Sequence, residues 1–320
     1  MPPPKLLVTR KLPDAVEARI RRDYDALLNE QDVLYGAEDL VRLAQGRDGV
    51  LTCGTERWSP EVVARLPAGV GIIASFSVGY EHIDIPACRA RGIVATNTPD
   101  VLTEATADIA VLCLLGAARR AWEGETMLRD GRWRRANMTE LLGLDLRGRV
   151  LGIVGMGRIG RAVARRARGF GLVVHYHNRT ALPADKAEGA TYHPTLEDLL
   201  PHCHFLSLNC PGGAATQHLI NERTLALLPP GAVLVNTARG TLVDDEALIA
   251  ALGSGRLFAA GLDVFAGEPN IHPGYRDLPN CFLLPHFGSA TVETRDAMGF
   301  RALDNLDAFF AGRATPDALT

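Results

Sequence analysis

Short apolar runs alternate with amphipathic stretches along most of the chain, and this alternation predicts its elements. Near-continuous apolar runs are typical of strands that are buried on both faces of a parallel sheet. Amphipathic stretches such as residues 14–28 and 60–66 predict helices that cover those faces. The predicted strands form two series, first residues 5–9, 49–52, 70–75 and 93–95, and then residues 150–154, 172–176, 205–208, 232–236, 259–262 and 282–284. The pattern is that of an α/β protein.

Two longer helical patterns separate these series. One covers residues 102–119, and the other covers residues 291–310, close to the end of the chain. We expect the last helix to pack on the first series of strands, which makes the first domain discontinuous. The predicted architecture is therefore two Rossmann-like domains: a flavodoxin-like domain of residues 1–98 and 289–320, and a doubly wound domain of residues 99–288.

Composition narrows the classes of partner. The chain has 320 residues, of which 47% are hydrophobic and 22% are charged, which suits a globular protein of about two domains. Its formal net charge of −3 argues against nucleic acid and acidic membranes as partners. No apolar run reaches the about 20 residues that span a bilayer, and the six cysteines form no CxxC pair. We expect a cytoplasmic protein with reduced cysteines.

The predicted strand at residues 150–154 runs into a glycine-rich turn and then a helical pattern. Gly155, Gly157 and Gly160 form G-x-G-x-x-G in the strand–turn–helix setting that a dinucleotide site requires. The first glycine allows the tight turn, the second lets the backbone approach a pyrophosphate, and the third lets the helix pack on the strand. The helix N-terminus then attracts the anion. The second domain is therefore predicted to bind NAD(P).

The end of the next strand indicates which dinucleotide is preferred. An NAD site usually places an acid about 20 residues after the glycines, where it binds the ribose 2′-hydroxyl. No acid occurs between residues 150 and 183, and the strand is followed by Asn178, Arg179 and Thr180. These residues suit the 2′-phosphate of NADP instead. We predict that NADP(H) is the preferred cofactor and that NAD(H) is the alternative.

Arg239, Glu268 and His286 each follow a predicted strand of the second series. Open α/β sheets bind ligands outside the carboxyl ends of their strands, so these three side chains can meet in one crevice. A guanidinium grips a carboxylate with two parallel hydrogen bonds. A histidine can hand a proton to a developing alkoxide, and a neighbouring acid stabilises its protonated form and fixes its tautomer. The set suits hydride chemistry on a small 2-keto acid.

Longer motifs surround these residues. They are SVGYEHID at residues 77–84, NTPDVLTEATADIA at 97–110, NTARGTLVDDEAL at 236–248, GLDVFAGEP at 261–269 and LPHFGSATVETR at 284–295. With them, residues 5–312 resemble the D-isomer-specific 2-hydroxyacid dehydrogenases, and most of all the glyoxylate/hydroxypyruvate reductases, which often use NADPH.

The resemblance implies a role for each residue. His286 would be the acid/base with Glu268 as its partner, and Arg239 would bind the substrate carboxylate and carbonyl. The backbone amides of Val78 and Gly79 would bind the same carboxylate. The other implied contacts are with the cofactor: Arg158 and Ile159 at the pyrophosphate, Cys210 and Pro211 near the adenosine or pyrophosphate, and Thr237, Ala238, Asp263 and Gly288, together with Arg239 and His286, around the nicotinamide.

The implied function is NADPH-dependent reduction of glyoxylate and hydroxypyruvate to glycolate and D-glycerate. The alternatives are a dehydrogenase for another D-2-hydroxyacid and a nucleotide-sensing, corepressor-like binding protein of the same fold. The family also implies a homodimer that uses the helix at residues 102–119 and the segment at 129–142, where Trp133 and Met138 suit burial against a partner. We expect no metal site, because the histidines and cysteines at residues 202–210 are typical of a helix end that enters a strand.

The loop at residues 52–55 is predicted to approach the C3 group of the substrate. Its small side chains would accept a hydrogen or a hydroxymethyl group. No lysine or arginine lies within residues 52–56 or 75–81 to neutralise a phosphate. A phosphorylated 2-keto acid is therefore predicted to be a poor substrate.

Overall fold

The structure is a computed structural model that describes residues 2–320. Its strands are β1 (Lys5–Val8), β2 (Asp25–Leu27), β3 (Gly49–Thr52), β4 (Ile72–Ser75), β5 (Val94–Thr96), β6 (Val150–Val154), β7 (Val173–His177), β8 (Thr191–His193), β9 (Phe205–Leu208), β10 (Ala232–Asn236), β11 (Leu257–Leu262) and β12 (Cys281–Leu283). Its α-helices are α1 (Asp14–Asp23), α2 (Ala37–Leu43), α3 (Pro60–Arg65), α4 (Ile85–Ala90), α5 (Thr103–Ala118), α6 (Ala121–Arg129), α7 (Arg158–Gly169), α8 (Ala184–Ala187), α9 (Leu196–Leu199), α10 (Glu222–Leu227), α11 (Asp245–Gly253) and α12 (Val292–Phe310).

The chain folds into two compact units. One contains the chain up to Leu102 together with Ser289–Thr320, and the other is Thr103–Gly288. The first unit is discontinuous because α12 packs on α1 and β4. The boundary lies a few residues after residue 98, because Val101 and Leu102 pack on the core of the first unit.

The first unit contains a five-stranded parallel sheet in the order β2-β1-β3-β4-β5. Successive side chains of a strand point to opposite faces, so each face of the sheet has its own core. Leu6 and Val8 of β1 pack with α1 and α12, whereas Leu7 of the same strand packs with α2, α3 and α4. The strand order is the flavodoxin-like one that the sequence predicts.

The second unit contains a seven-stranded parallel sheet in the order β12-β11-β10-β9-β6-β7-β8. Counted from β6, this is the doubly wound order with one further strand, and the order reverses between β6 and β9. Ile153 of β6 packs with α5 and α7 on one face, and Leu206 of β9 packs with α9, α10 and α11 on the other. The predicted α/β class with two Rossmann-like sheets is confirmed.

Two edge strands, β2 and β8, were not expected from the apolar pattern. The predicted helix at residues 14–28 is too long: α1 ends at Asp23, Tyr24 is extended, and the next residues pair with β1. Both edge strands have only three residues and include polar ones, so they lack the continuous apolar run of a central strand.

Capping residues define where several helices begin. Asp84 accepts a hydrogen bond from the N–H of Ala87 at the start of α4, and Thr291 accepts one from Thr294 at the start of α12. Even α12, with 19 residues, carries charged residues throughout. Within residues 2–320 no helix combines the length and the apolar composition needed to cross a membrane.

Candidate active site

The glycine-rich turn lies where the strand order of the second sheet reverses. Gly155 has a φ of +91°, and a Cβ there would lie 2.5 Å from the backbone nitrogen of Cys210. A Cβ on Gly160 would lie 2.4 Å from the carbonyl oxygen of Gly155, so α7 packs directly on the turn. By contrast, nothing lies within 4 Å of the position that a Cβ on Gly157 would take. The open backbone at the N-terminus of α7 therefore fits a pyrophosphate.

Asn178 supports this turn. The N–H of Met156 donates a hydrogen bond to Oδ1 of Asn178 at 2.7 Å, and the N–H of Gly155 donates to the carbonyl of His177 at 3.0 Å. The end of β7 thus holds the turn in place. The carboxamide oxygen of Asn178 is used for this contact, which leaves its Nδ2 as the group that can reach a ligand.

Arg179 and Thr180 follow on the surface. Both side chains are exposed, and no hydrogen bond or ion pair to Arg179 occurs within residues 2–320. The helix α7, which follows the glycine-rich turn, contains no acid. The end of β7 therefore presents positive charge where an NAD site would present a carboxylate.

The side chains of Glu268 and His286 form a pair. Nδ1 of His286 lies 2.8 Å from Oε2 of Glu268, and Oε1 of Glu268 accepts the N–H of Phe265 at 2.7 Å. Burial works to raise the pKa of Glu268, but the hydrogen bond and charge of His286, the Phe265 N–H and the charge of Arg239 together lower it. An ionised carboxylate can only accept, so Nδ1 of His286 carries a proton and Nε2 remains for other chemistry.

Asp263 at the end of β11 holds the turn that carries His286. The φ of His286 is +58°, a region that residues other than glycine rarely adopt. Its N–H donates to the carbonyl of Asp263, and the N–H groups of Phe287 and Gly288 donate to the Asp263 carboxylate at 2.6 and 2.8 Å. Burial raises the pKa of Asp263 to about 6, although these two hydrogen bonds act to lower it. Asp263, which the resemblance puts at the nicotinamide, thus uses both carboxylate oxygens to hold this turn.

Arg239 follows β10 on a short loop that Asn236 holds. Nδ2 of Asn236 donates to the carbonyl of Arg239 at 2.9 Å, and its Oδ1 accepts the N–H of Ala238 at 3.1 Å. Asn236 is buried, and its role was missed from the sequence, where the only signal is its place at the start of NTARG. The charge of Arg239 helps to lower the pKa of Glu268, so the guanidinium and the carboxylate interact.

Two buried polar atoms at the same edge of the sheet have no hydrogen-bond partner in the described part of the chain. They are Oδ1 of Asn209, after β9, and Oγ1 of Thr237, after β10. Buried polar atoms are nearly always paired, so these two fit the polar groups of a bound dinucleotide. Cys210 and Pro211 continue the loop beside Gly155, and burial raises the pKa of the Cys210 thiol to about 11.

Val78 and Gly79 belong to the first unit, on the loop after β4. The carbonyl of Val78 accepts a hydrogen bond from Nδ2 of Asn97 at 2.8 Å. The carbonyl of Gly79 accepts one from the hydroxyl of Ser77 at 2.6 Å. No hydrogen bond from the N–H groups of residues 78–80 occurs within residues 2–320, so these groups are available to an anion.

The loop after β3 is organised around a buried acid. Glu56 accepts hydrogen bonds from Thr9 and Thr55, each at 2.8 Å. Arg10 donates a hydrogen bond to the hydroxyl of Thr55 at 2.7 Å. A cation therefore lies beside this loop, although residues 52–56 and 75–81 contain none. The Arg10 guanidinium is already paired with both carboxylate oxygens of Asp32, at 2.7 and 2.9 Å. Its charge is therefore largely compensated.

The histidines and cysteines near residue 202 serve packing. The buried thiol of Cys203 donates to the carbonyl of Leu199, and Nδ1 of His204 accepts the N–H of Val150 at 3.2 Å. Among residues 2–320, no group of three His, Cys, Asp or Glu side chains could hold a metal ion.

Known proteins match this sequence over nearly its full length. The model of the NAD binding domain of D-isomer specific 2-hydroxyacid dehydrogenases matches residues 111–288. A glycerate dehydrogenase from Hyphomicrobium methylovorum is 46% identical over 310 residues, which cover 96% of each chain. The chain therefore belongs to the D-isomer specific 2-hydroxyacid dehydrogenases, NAD(P)-dependent enzymes, and the predicted membership is confirmed.

Two further relatives indicate which members of the family this chain is similar to. A glyoxylate reductase from Thermococcus onnurineus is 42% identical over 318 residues, 98% of this chain and 95% of that protein. The solved structure of an NADPH-dependent glyoxylate/hydroxypyruvate reductase from Sinorhizobium meliloti, in complex with NADP and malonate, has a TM-score of 0.88 at 38% identity. The match covers 99% of this chain and 97% of that one.

Proposed function

We propose that this enzyme reduces glyoxylate and hydroxypyruvate with NADPH and forms glycolate and D-glycerate. The observation that carries the proposal is the His286–Glu268 pair beside Arg239, at the carboxyl edge of a sheet with a dinucleotide-binding turn. The names of the relatives support the substrate class, since glyoxylate reductase and glycerate dehydrogenase both act on small 2-keto or 2-hydroxy acids.

The roles of the side chains follow from their protonation states. Arg239 binds the substrate carboxylate and polarises the neighbouring carbonyl. Glu268 is ionised and accepts the Nδ1–H of His286. Reduction uses the imidazolium form of His286, in which Nε2 also carries a proton and donates it to the carbonyl oxygen. After that transfer, His286 is left neutral with its proton on Nδ1, still bound to Glu268. When bound, NADPH would supply the hydride that the carbonyl carbon accepts.

Residues of the second unit would hold the cofactor. The open backbone around Gly157 would bind the pyrophosphate, and Arg158 and Ile159 open the helix behind it. Asn209 and Thr237 would use their unpaired buried oxygens to bind polar groups of the dinucleotide. Arg179 and Thr180 would bind the 2′-phosphate, and the NADPH-dependent relative from Sinorhizobium meliloti supports that preference.

A second copy of the chain would cover an exposed apolar surface of the second unit. Trp122 and Leu128 of α6 are 50% and 61% exposed, and Trp133, Met138 and Leu142 of the following segment are 56%, 80% and 61% exposed. Large exposed apolar side chains that are concentrated in one segment, here residues 122–142, are typical of an association surface. Most of the helix α5 packs inside the unit, and its Leu112 is 45% exposed. This exposure supports the homodimer.

A spectrophotometric screen tests the proposed reaction. Glyoxylate, hydroxypyruvate, pyruvate and 3-phosphohydroxypyruvate are each offered with NADPH and with NADH, and oxidation of the cofactor is followed. We expect turnover with the first two acids and NADPH. Turnover confined to another 2-keto acid would indicate a different dehydrogenase, and cofactor binding without any turnover would favour the nucleotide-sensing alternative.

A further inference from the structure

The hydroxyl of Ser77, which holds the Gly79 carbonyl, ends a line of hydrogen bonds inside the first unit. Oγ of Ser75 lies 2.7 Å from Oγ of Ser77 and 3.2 Å from Nε2 of His82. A hydroxyl has a single proton to donate. Because Ser77 gives its proton to the carbonyl, it must accept from Ser75, and Ser75 must then accept from His82. These three residues, His82, Ser75 and Ser77, form what we term the serine relay, and it runs in one direction.

The relay orients a peptide group on the loop. In a trans peptide the N–H points away from the C=O, so fixing the carbonyl of Gly79 also fixes the N–H of Tyr80 on the opposite side. Asn97 fixes the N–H of Gly79 in the same way, through the carbonyl of Val78. The carbonyl of Ser77 accepts the N–H of Thr98 at 3.0 Å, so the three consecutive carbonyls of residues 77–79 all have hydrogen-bond partners. Each of the three N–H groups at residues 78–80 is therefore oriented by a carbonyl of the same peptide that a hydrogen bond holds.

Successive backbone N–H groups without partners can form a concave site for an anion. The two serines of the relay are shielded from solvent to different degrees, since Ser75 is fully buried and Ser77 is half-buried. A buried hydroxyl between two partners is held in one geometry, which makes it suited to transmit orientation from His82 to the loop.

We propose that the serine relay positions the loop at residues 78–80 for the substrate carboxylate, and that the N–H of Tyr80 is one of the donors it sets. This inference rests on the proposed function, which supplies the carboxylate. His82, Ser75 and Ser77 are positioning residues: they act through the peptide groups and do not take part in proton or hydride transfer. Loss of the relay should therefore weaken carboxylate binding while the chemistry and the binding of the cofactor persist.

Steady-state kinetics of Ser75→Ala and Ser77→Ala test the relay. Each variant should raise the KM for glyoxylate by about 5- to 20-fold, the scale of one weakened hydrogen bond to a charged group, with kcat within about twofold. The Kd of NADPH, from fluorescence titration, should stay at the wild-type value. Ser77→Thr keeps the hydroxyl, so its KM for glyoxylate should stay close to the wild-type value.

Ser59→Ala is the matched control in the same unit, because it removes a hydroxyl that caps α3. It should lower the thermal unfolding midpoint and leave KM unchanged. If the relay variants shift KM no more than this control does, the relay has only a structural role and the inference is wrong.

Calorimetric titration of the NADP⁺-loaded enzyme with oxalate measures carboxylate binding without turnover. Ser75→Ala and Ser77→Ala should each weaken oxalate binding by a similar factor of about 5 to 20. If the wild-type enzyme turned over neither glyoxylate nor hydroxypyruvate but these variants still weakened oxalate binding, the proposed function would fail and the relay would stand. Unchanged oxalate affinity in both variants would overturn the relay itself.

Discussion

Replacement of Arg179 by alanine should change the cofactor preference of this enzyme. Arg179 is exposed at the end of β7 and has no hydrogen bond or ion pair within residues 2–320. Its removal therefore leaves no buried partner unpaired and should not disturb the fold. Only NADPH carries the 2′-phosphate that the guanidinium would bind, so NADPH should lose affinity while NADH should not.

The exposure of Arg179 sets the size of the effect. Pairs of exposed unit charges contribute about 0.2–1 kcal/mol, because water and salt screen them. A phosphate carries close to two charges and accepts several hydrogen bonds, which brings the contribution to about 1–2 kcal/mol. We therefore expect kcat/KM with NADPH to fall roughly 5- to 30-fold in Arg179→Ala, with kcat/KM for NADH within about twofold.

Initial rates at a saturating concentration of glyoxylate, with each cofactor varied, give the two kcat/KM values. Arg276 is the matched control, since it is an exposed arginine of the same unit with no side-chain partner in the described residues, and Arg276→Ala should leave both values unchanged. The wild-type preference for NADPH should also shrink as the salt concentration rises. Equal losses for the two cofactors, or an equal loss in Arg276→Ala, would refute the assignment of Arg179.

Other consequences of the structure can be measured in the same way. His286→Ala should lower kcat by about 10²-fold or more while NADPH still binds, and a variant with wild-type kcat would exclude His286 from proton transfer. Reduction requires protonated His286, so its rate should fall as pH rises while oxidation gains. Glu268→Gln removes the carboxylate that accepts the Nδ1–H of His286 and should lower kcat while NADPH still binds, and a variant with wild-type kcat would contradict the role of this pair. Light scattering should give twice the 34.4 kDa of one chain, and a mass of one chain at micromolar concentration would contradict the dimer. Values of kcat/KM should be higher for hydroxypyruvate and glyoxylate than for pyruvate, and lowest for 3-phosphohydroxypyruvate. The reason is that Glu56 adds an acid to the loop after β3 and Arg10 is already paired. If kcat/KM were highest for the phosphorylated acid, this explanation would be wrong.

The sequence by itself determines the central strands and the residue types of the site. The bounds of β3, β6, β9 and β10 agree with the apolar runs at residues 49–52, 150–154, 205–208 and 232–236, because a strand buried on both faces needs apolar residues throughout. The glycine turn is also predicted from the sequence because it follows directly on β6, and Arg239, Glu268 and His286 are predicted as candidates because each lies on a loop after a strand. The edge strands β2 and β8 were not predicted, because each has only three residues, some of them polar, and lacks a neighbour on one side.

Only the tertiary structure decided which groups hold these residues in place. Asp263 meets the N–H groups of Phe287 and Gly288 because β11 and β12 are neighbours in a parallel sheet, although the residues are more than 20 positions apart in the chain. Asn178 meets the glycine turn because β6 and β7 are paired. Such bonds depend on strand order and register, which set distances between residues that no local pattern connects. Local pattern therefore determined the chemistry available to this enzyme, and the packing of parallel strands decided how that chemistry is oriented.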